Sequence, residues 1–209
     1  MDFIDIVYYI NLDYRFDRKD NFLKWILKSG FSLNKTHRIS ALYNDKGYIG
    51  CTMSHIKALE TFINSNHKNC IIFEDDYEPL DIYNYWNNIK KIKDNEVEFN
   101  IILLSYNDSE LQISDSKYDF LKNVSFTYTA SGYLLNKDFA YVLLENFKEC
   151  LTLCLEEEKI TNRNTEQYCI DVYWKKLMKQ YLFYCFYPRL GKQIESFSDI
   201  LNKVVDYKC

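Results

Sequence analysis

The chain is poor in glycine and proline, with five and two in 209 residues, and that scarcity excludes long linkers and disordered tracts. No apolar run approaches the ~20 residues needed to span a bilayer, so no transmembrane segment is expected. The opening Met1-Asp2-Phe3-Ile4-Asp5 is acidic and has no basic stretch ahead of an apolar one, which argues against a signal peptide. Cysteines at 51, 70, 150, 154, 169, 185 and 209 are odd in number and lack paired CxxC spacing, so neither a disulfide framework nor a zinc-finger pattern is expected. They read as reduced, mostly buried thiols in a cytoplasmic, reducing compartment, and Cys150 and Cys154, at i, i+4, read as packing residues. A net charge of −4 leaves no basic footprint for nucleic acid. What the chain has in excess is aromatic side chains, 19 Tyr and 14 Phe, enough for a sizeable core. Its abundance of Asn, Lys, Ile and Tyr fits an AT-rich genome, bacterial or of a large DNA virus.

Hydrophobic periodicity alternates between strand and helix. Asp5 to Asn11, Thr36 to Ala41, Cys70 to Phe73, Phe99 to Ser105, Val124 to Ala130 and Tyr181 to Tyr187 read as strands. Helices are expected over Asp17 to Leu27 with Gly30 as the stop, over Tyr48 to Asn64, and after Pro79 through Ile82, Tyr85, Trp86 and Ile89. Two more are expected over Lys137 to Leu155 and Thr165 to Lys179, and Tyr106 to Ser116 reads as a polar loop. Such βαβα alternation predicts an α/β fold, one domain over 1–209, with a mainly parallel sheet sandwiched by helices.

The feature with most chemical content is Glu74-Asp75-Asp76, directly after the apolar run Cys70-Ile71-Ile72-Phe73. Ligands of α/β sheets bind beyond the carboxyl ends of the strands, and adjacent carboxylates there suit a hard cation shared with substrate phosphates. The rival reading is a solvated acidic junction. Other segments carry similar pairs of readings. Asn11, Leu12, Arg15 and Arg18 form a loop and helix entrance suited to a diphosphate, or an Asp/Arg-paired helix start. Ser54 and His55 lie in a helix whose stripe is Ile49, Ile56, Leu59 and Ile63; His55 falls on its flank, facing a cleft or simply packing. Thr129-Ala130-Ser131-Gly132-Tyr133 combines small residues with a Tyr that can stack on a ligand, or is a tight turn. Asp171 stands alone among apolar and aromatic neighbours, which would raise its pKa toward that of a general base, unless it caps or pairs on a helix surface. Gln193, Ser198 and Asp199 belong to a C-terminal polar cluster or an exposed tail.

Their order along the chain is more telling than any one of them. Ile10-Asn11-Leu12 with Arg15 and Arg18, Gly50-Cys51-Thr52-Met53-Ser54-His55-Ile56, Phe73-Glu74-Asp75-Asp76, Gly132-Tyr133-Leu134-Leu135, and Gln193 with Ser198-Asp199-Ile200 together resemble glycosyltransferase family 25. That family includes bacterial lipooligosaccharide galactosyltransferases and the transferase domains of collagen-modifying enzymes. The resemblance runs from about Val7 to Leu201. It implies a GT-A-like fold, a UDP-sugar donor, a divalent cation (Mn²⁺ or Mg²⁺), inversion at the anomeric carbon, and a glycan, lipooligosaccharide or protein hydroxyl as acceptor. On that model Asp75 and Asp76 hold the metal with Asp199 completing the shell, Asn11, Leu12, Arg15, Arg18, Ser54, Tyr133, Gln193 and Ser198 contact the donor, and the base is Asp171, with Glu74 and His55 as rivals. The segment Leu42 to Gly47, ahead of the Ser-His helix, is shorter than family members often carry. Two other functions fit the same residues: a non-catalytic sugar-nucleotide or glycan-binding module, and a metal-dependent phosphoester hydrolase. The hydrolase usually needs carboxylates or His from several strands, and this chain has only three His, at 37, 55 and 67.

Overall fold

The computed structural model describes residues 3–161, 166–198 and 203–205. The chain opens with β1 (Ile6–Asn11), α1 (Phe16–Lys28), β2 (Thr36–Ser40), α2 (Gly47–Ile63) and β3 (Asn69–Glu74). Next come a short β4 (Tyr77–Pro79), α3 (Tyr85–Asp94), β5 (Ile101–Leu103), β6 (Gln112–Asp115), β7 (Leu121–Phe126) and β8 (Gly132–Asn136). The long α4 (Lys137–Thr161), α5 (Ile170–Tyr173), α6 (Lys175–Met178), β9 (Phe183–Phe186), β10 (Gly191–Gln193), β11 (Ser196–Ser198) and β12 (Lys203–Val205) complete the described strands and α-helices.

Eight strands form one sheet in the order β2-β1-β3-β8-β5-β9-β7-β6. Six run in one direction; β8 and β7 run against them, inserted between β3 and β5 and between β9 and β6. Alternation along each strand divides the core in two. Tyr8, Ile72, Leu103, Tyr133 and Cys185 meet α2 and α4 on one face through Leu59, Phe62, Phe139 and Phe147. Val7, Phe73, Ile102, Leu134 and Phe186 meet α1 and α3 on the other through Phe22, Trp25, Trp86 and Ile89. The result is the expected sheet between two helical layers, because strands buried on both faces must be covered on both.

Several expected elements differ. Gly132–Asn136 is a central, buried strand, not a turn. The polar stretch Tyr106 to Ser116 contains β6 and is not all loop, and the strand expected over Val124 to Ala130 lies earlier, at Leu121–Phe126. The helix expected over Thr165 to Lys179 is broken into a 3₁₀ turn (Glu166–Tyr168), α5 and α6. In α2 the most buried face runs through His55, Ala58, Leu59 and Phe62, with Ile56 and Ile63 only half-buried, so His55 belongs to the packed face rather than its flank. Gly30 ends α1 as expected, at φ +77°, where a side chain would be strained.

Candidate active site

β1 is flanked by β2 on one side and β3 on the other, so the connections leaving its end and β3's diverge and open a crevice. This is the topological switch point at which doubly wound sheets bind ligands. Asn11 ends β1 and Glu74 ends β3, and Asp75 and Asp76 follow in the turn before β4. β8 runs the opposite way, so its start, preceded by Thr129, reaches the same edge of the sheet. Together these residues line a cleft of about 450 Å³, with Leu12, Arg18, Ser54, His55, Asp171 and Gln193 also on its wall.

The acidic triplet is not a solvated junction. Asp75 and Asp76 are 7% and 6% exposed. Asn11 Nδ2 donates to Asp75 Oδ2 at 2.6 Å, and one Arg18 nitrogen, Nη1, donates to Asp75 Oδ1 and to Asp76 Oδ2, each at 3.0 Å. Gln193 Nε2 bridges Glu74 Oε2 at 3.0 Å and Asp76 Oδ1 at 3.3 Å. Arg18 bridges the two aspartates but does not cancel the effect of burying them beside Glu74, and Asp76 shows this. Its pKa is pushed up to about 7, by burial first, then by the charge of Glu74, with Arg18 pulling the other way. Burial also raises Asp75, against the opposing pull of Arg18 and Asn11.

Glu74 behaves differently. Burial would raise its pKa, but hydrogen bonds from His55 and Cys51 and the charges of His55 and Arg18 outweigh it, and the net shift is downward. His55 Nε2 lies 3.3 Å and Cys51 Sγ 3.5 Å from Glu74 Oε1. The other imidazole nitrogen, Nδ1, is 2.9 Å from the Tyr133 hydroxyl, and the rings of His55 and Tyr133 stack. Both Glu74 oxygens and both His55 nitrogens are thereby occupied.

Across the cleft, Asp171 sits in the first turn of α5, where its Oδ2 accepts the Thr129 amide at 3.0 Å. Burial raises its pKa and the Glu74 charge adds to the rise, against the lowering Thr129 bond. Thr129 itself is at φ +86°, rarely adopted by a β-branched residue and costing about 1–3 kcal/mol. The hydrogen bond its backbone N–H donates to Asp171 and the one its hydroxyl donates to Gln193 Oε1, at 3.2 Å, hold it there. Ser54 Oγ donates to the Gly50 carbonyl and accepts from the Leu42 amide, so the hydroxyl braces the loop over the cleft.

Of the residues singled out in the sequence, Asn11, Leu12, Arg18, Ser54, His55, Glu74, Asp75, Asp76, Asp171 and Gln193 converge on this cleft. Tyr133 is fully buried and touches it through His55, and Arg15 pairs with Asp17 on the helix entrance. Asp199 lies outside the described residues, as does the side chain of Ser198, whose backbone is in β11. Sequence reasoning missed Thr129 as a positioning residue and Cys51 as a partner of Glu74. The i, i+4 spacing of Cys51 and His55 on one helix was the available signal for the second. No described helix is long and apolar enough to cross a membrane.

Residues 32–161 match the family model described as glycosyltransferase family 25 (LPS biosynthesis protein). No curated protein matches the sequence. Among solved structures, A197 from STIV superposes with a TM-score of 0.52 at 13% identity, covering 97% of this chain and 93% of that one. Mannose-1-phosphate geranyltransferase from Thermus thermophilus gives 0.50 at 8% identity, over 88% and 73% of the two chains. A glycosyltransferase involved in glycosylation of the major capsid of PBCV-1 gives 0.48 at 9%, over 94% and 96%. At such identities likeness speaks for the fold alone.

Proposed function

The chain belongs to glycosyltransferase family 25, and from that premise we propose that it transfers a hexose, galactose or glucose, from a UDP-sugar to a hydroxyl of a glycan, lipooligosaccharide or protein. The supporting observation is the unbalanced charge at the switch point. Three adjacent carboxylates meet there, Arg18 bridges Asp75 and Asp76, and burial together with the charge of Glu74 still pushes the Asp76 pKa up to about 7. Asp75 and Asp76 offer hard oxygen ligands, so Mn²⁺ or Mg²⁺ fits them. When bound, such a cation neutralises charge on the departing diphosphate. Arg18, in the first turn of α1 and within 3.0 Å of both aspartates, would meet the same diphosphate through its planar guanidinium.

An inverting transfer forms a bond from the acceptor oxygen to the anomeric carbon while the bond to UDP breaks, and the acceptor proton passes to a base. Asp171 suits that role. It faces the cleft, its pKa is raised, and the Thr129 amide holds its orientation through Oδ2. Glu74 suits it less, because its pKa is lowered and both oxygens are engaged. It acts instead as the hub that fixes His55 and Gln193 against the aspartates. On this reading residues 1–209 act as one catalytic unit.

Incubating the purified protein with a panel of UDP-hexoses and Mn²⁺, with and without Asp76→Ala, tests the reading. Cation-dependent UDP release by the wild type and none by the variant supports transfer. Failure to bind any UDP-sugar overturns it; binding with no sugar release in the presence of glycan acceptors favours a non-catalytic module, and phosphate release from simple phosphoesters favours a hydrolase.

A further inference from the structure

A second cluster on the cleft wall has different chemistry from the aspartates. Cys51 and His55, one turn apart on α2, and Glu74, at the end of β3, bring a sulfur, an imidazole nitrogen and a carboxylate oxygen within 4.8 Å of one another. We propose that Cys51, His55 and Glu74 form a three-ligand Zn²⁺ site with its fourth position open to the cleft.

Three observations carry this. The first is distance. Zinc bonds of about 2.0–2.1 Å to nitrogen and oxygen and about 2.3 Å to sulfur, at tetrahedral angles, separate ligand atoms by roughly 3.3–3.5 Å. Here His55 Nε2 is 3.3 Å and Cys51 Sγ 3.5 Å from Glu74 Oε1. The second is outer support. The Tyr133 hydroxyl, 2.9 Å from His55 Nδ1, can accept from Nδ1–H and leave Nε2 as a lone-pair donor, while Gln193 donates to the other Glu74 oxygen and holds the carboxylate in place. Burial of His55 and Tyr133, both fully enclosed, keeps that arrangement rigid. The third is access: all three ligand residues line the cleft, so an ion can enter and a water or substrate oxygen can fill the remaining position.

The thiolate and imidazole make the site softer than the all-oxygen pair at Asp75 and Asp76, and they select Zn²⁺ over Mg²⁺ or Mn²⁺. In the metal-free protein, hydrogen bonds join the same atoms. On binding, the Cys51 S–H proton passes to solvent, a Zn–S bond forms, and no electron is transferred. The site stands independently of the sugar-nucleotide reading, because the metal alone probes it.

The test is Co²⁺ substitution of the full chain, read as visible d–d bands with a thiolate-to-cobalt charge-transfer band in the near ultraviolet, followed by displacement with Zn²⁺. One equivalent of Co²⁺ should produce the charge-transfer band and one equivalent of Zn²⁺ should abolish it, with excess Mg²⁺ leaving it unchanged. Cys51→Ser should lose the band and bind Zn²⁺ at least about tenfold more weakly in competition with a chromophoric chelator. Cys169→Ser, which alters another thiol on the cleft, should keep the band. Circular dichroism confirms that each variant is folded. Absence of the band in the wild type, its persistence in Cys51→Ser, or its loss in Cys169→Ser would each overturn the assignment.

Discussion

Single side chains in this cleft are sorted by what surrounds them, and Asp171 and Glu74 show the contrast. Both are carboxylates lining the cleft, yet burial leaves Asp171 with a raised pKa, whereas Glu74 is pulled down by His55 and Cys51. Asp171→Asn should therefore reduce transfer by roughly 100-fold or more, the scale on which a general base acts. The same change tests the sign of the shift. A carboxylate whose folded pKa is raised binds more protons folded than unfolded, so its contribution to stability is full below the unfolded pKa and is lost as pH rises through the folded value. Asparagine keeps an oxygen for the Thr129 amide and carries no charge, so the variant should melt no lower than the wild type at pH 7.5. Any advantage should vanish near pH 3.5, as followed by thermal denaturation. A variant markedly less stable at pH 7.5 would mean that the Asp171 charge is compensated in the fold. At this scale the sequence was informative where chemistry is unusual for its setting: the triplet after an apolar run, or a lone Asp among aromatics. Thr129 stood out only as part of the segment running to Tyr133, because its own importance lies in a backbone angle that residue type does not announce.

Among elements, the short β10 does more than its three residues suggest. It pairs antiparallel with β4 through Gly191 and Pro79, Lys192 and Glu78, and Gln193 and Tyr77, and so carries the Gln193 amide to Glu74 and Asp76. A Cβ at Gly191 would stand 2.1 Å from Tyr77 Cζ, and Tyr77 is a buried ring whose hydroxyl is tied to Tyr85. Gly191→Ala should cost about 1–3 kcal/mol through overpacking, read as a lower denaturant midpoint, and should weaken donor binding as well because Gln193 moves with the strand. On α2, a Cβ at Gly50 would meet the Leu42 carbonyl at 2.6 Å and the Asn44 amide at 3.2 Å. Gly50→Ala should push that loop off the helix and raise KM for the donor with little change in secondary structure by circular dichroism. The elements read from sequence were those with a long or clean pattern, β1, α1, β2, α2 and β3 among them. β8 escaped because Ser131-Gly132 reads as a turn, although Tyr133-Leu134-Leu135 is fully buried between β3 and β5. β6, largely exposed, has no alternation to detect, and the break between α5 and α6 falls at Trp174, a buried ring packed on Tyr133, Phe147 and Phe183, which periodicity does not announce.

For the molecule as a whole, the three-layer sandwich was legible, because strands apolar on both faces demand helices on both sides. The exact order of the sheet was not, since two strands entering against the others follow from pairing choices that periodicity does not encode. The aromatic excess went mainly into the core: Phe22, Trp25, Phe73, Tyr77, Tyr85 and Trp86 form one continuous ring cluster between the sheet and α1 and α3. Phe73 and Tyr77 of that cluster flank the acidic triplet, so buried rings anchor it at both ends while its carboxylates repel one another. Relief of the repulsion should appear globally. Mn²⁺ at about a hundredfold excess over its Kd should stabilise the fold by about 2.7 kcal/mol and raise Tm by roughly 5–10 °C. Differential scanning calorimetry of the wild type and Asp76→Ala checks this, the variant showing a much smaller shift. The most direct measurement for the central claim is calorimetric titration of a UDP-hexose into each folded protein, with and without Mn²⁺. The wild type should bind only with the cation, and Asp76→Ala should lose that cation dependence along with most of its affinity. Equal binding by both proteins, with or without Mn²⁺, would contradict the account.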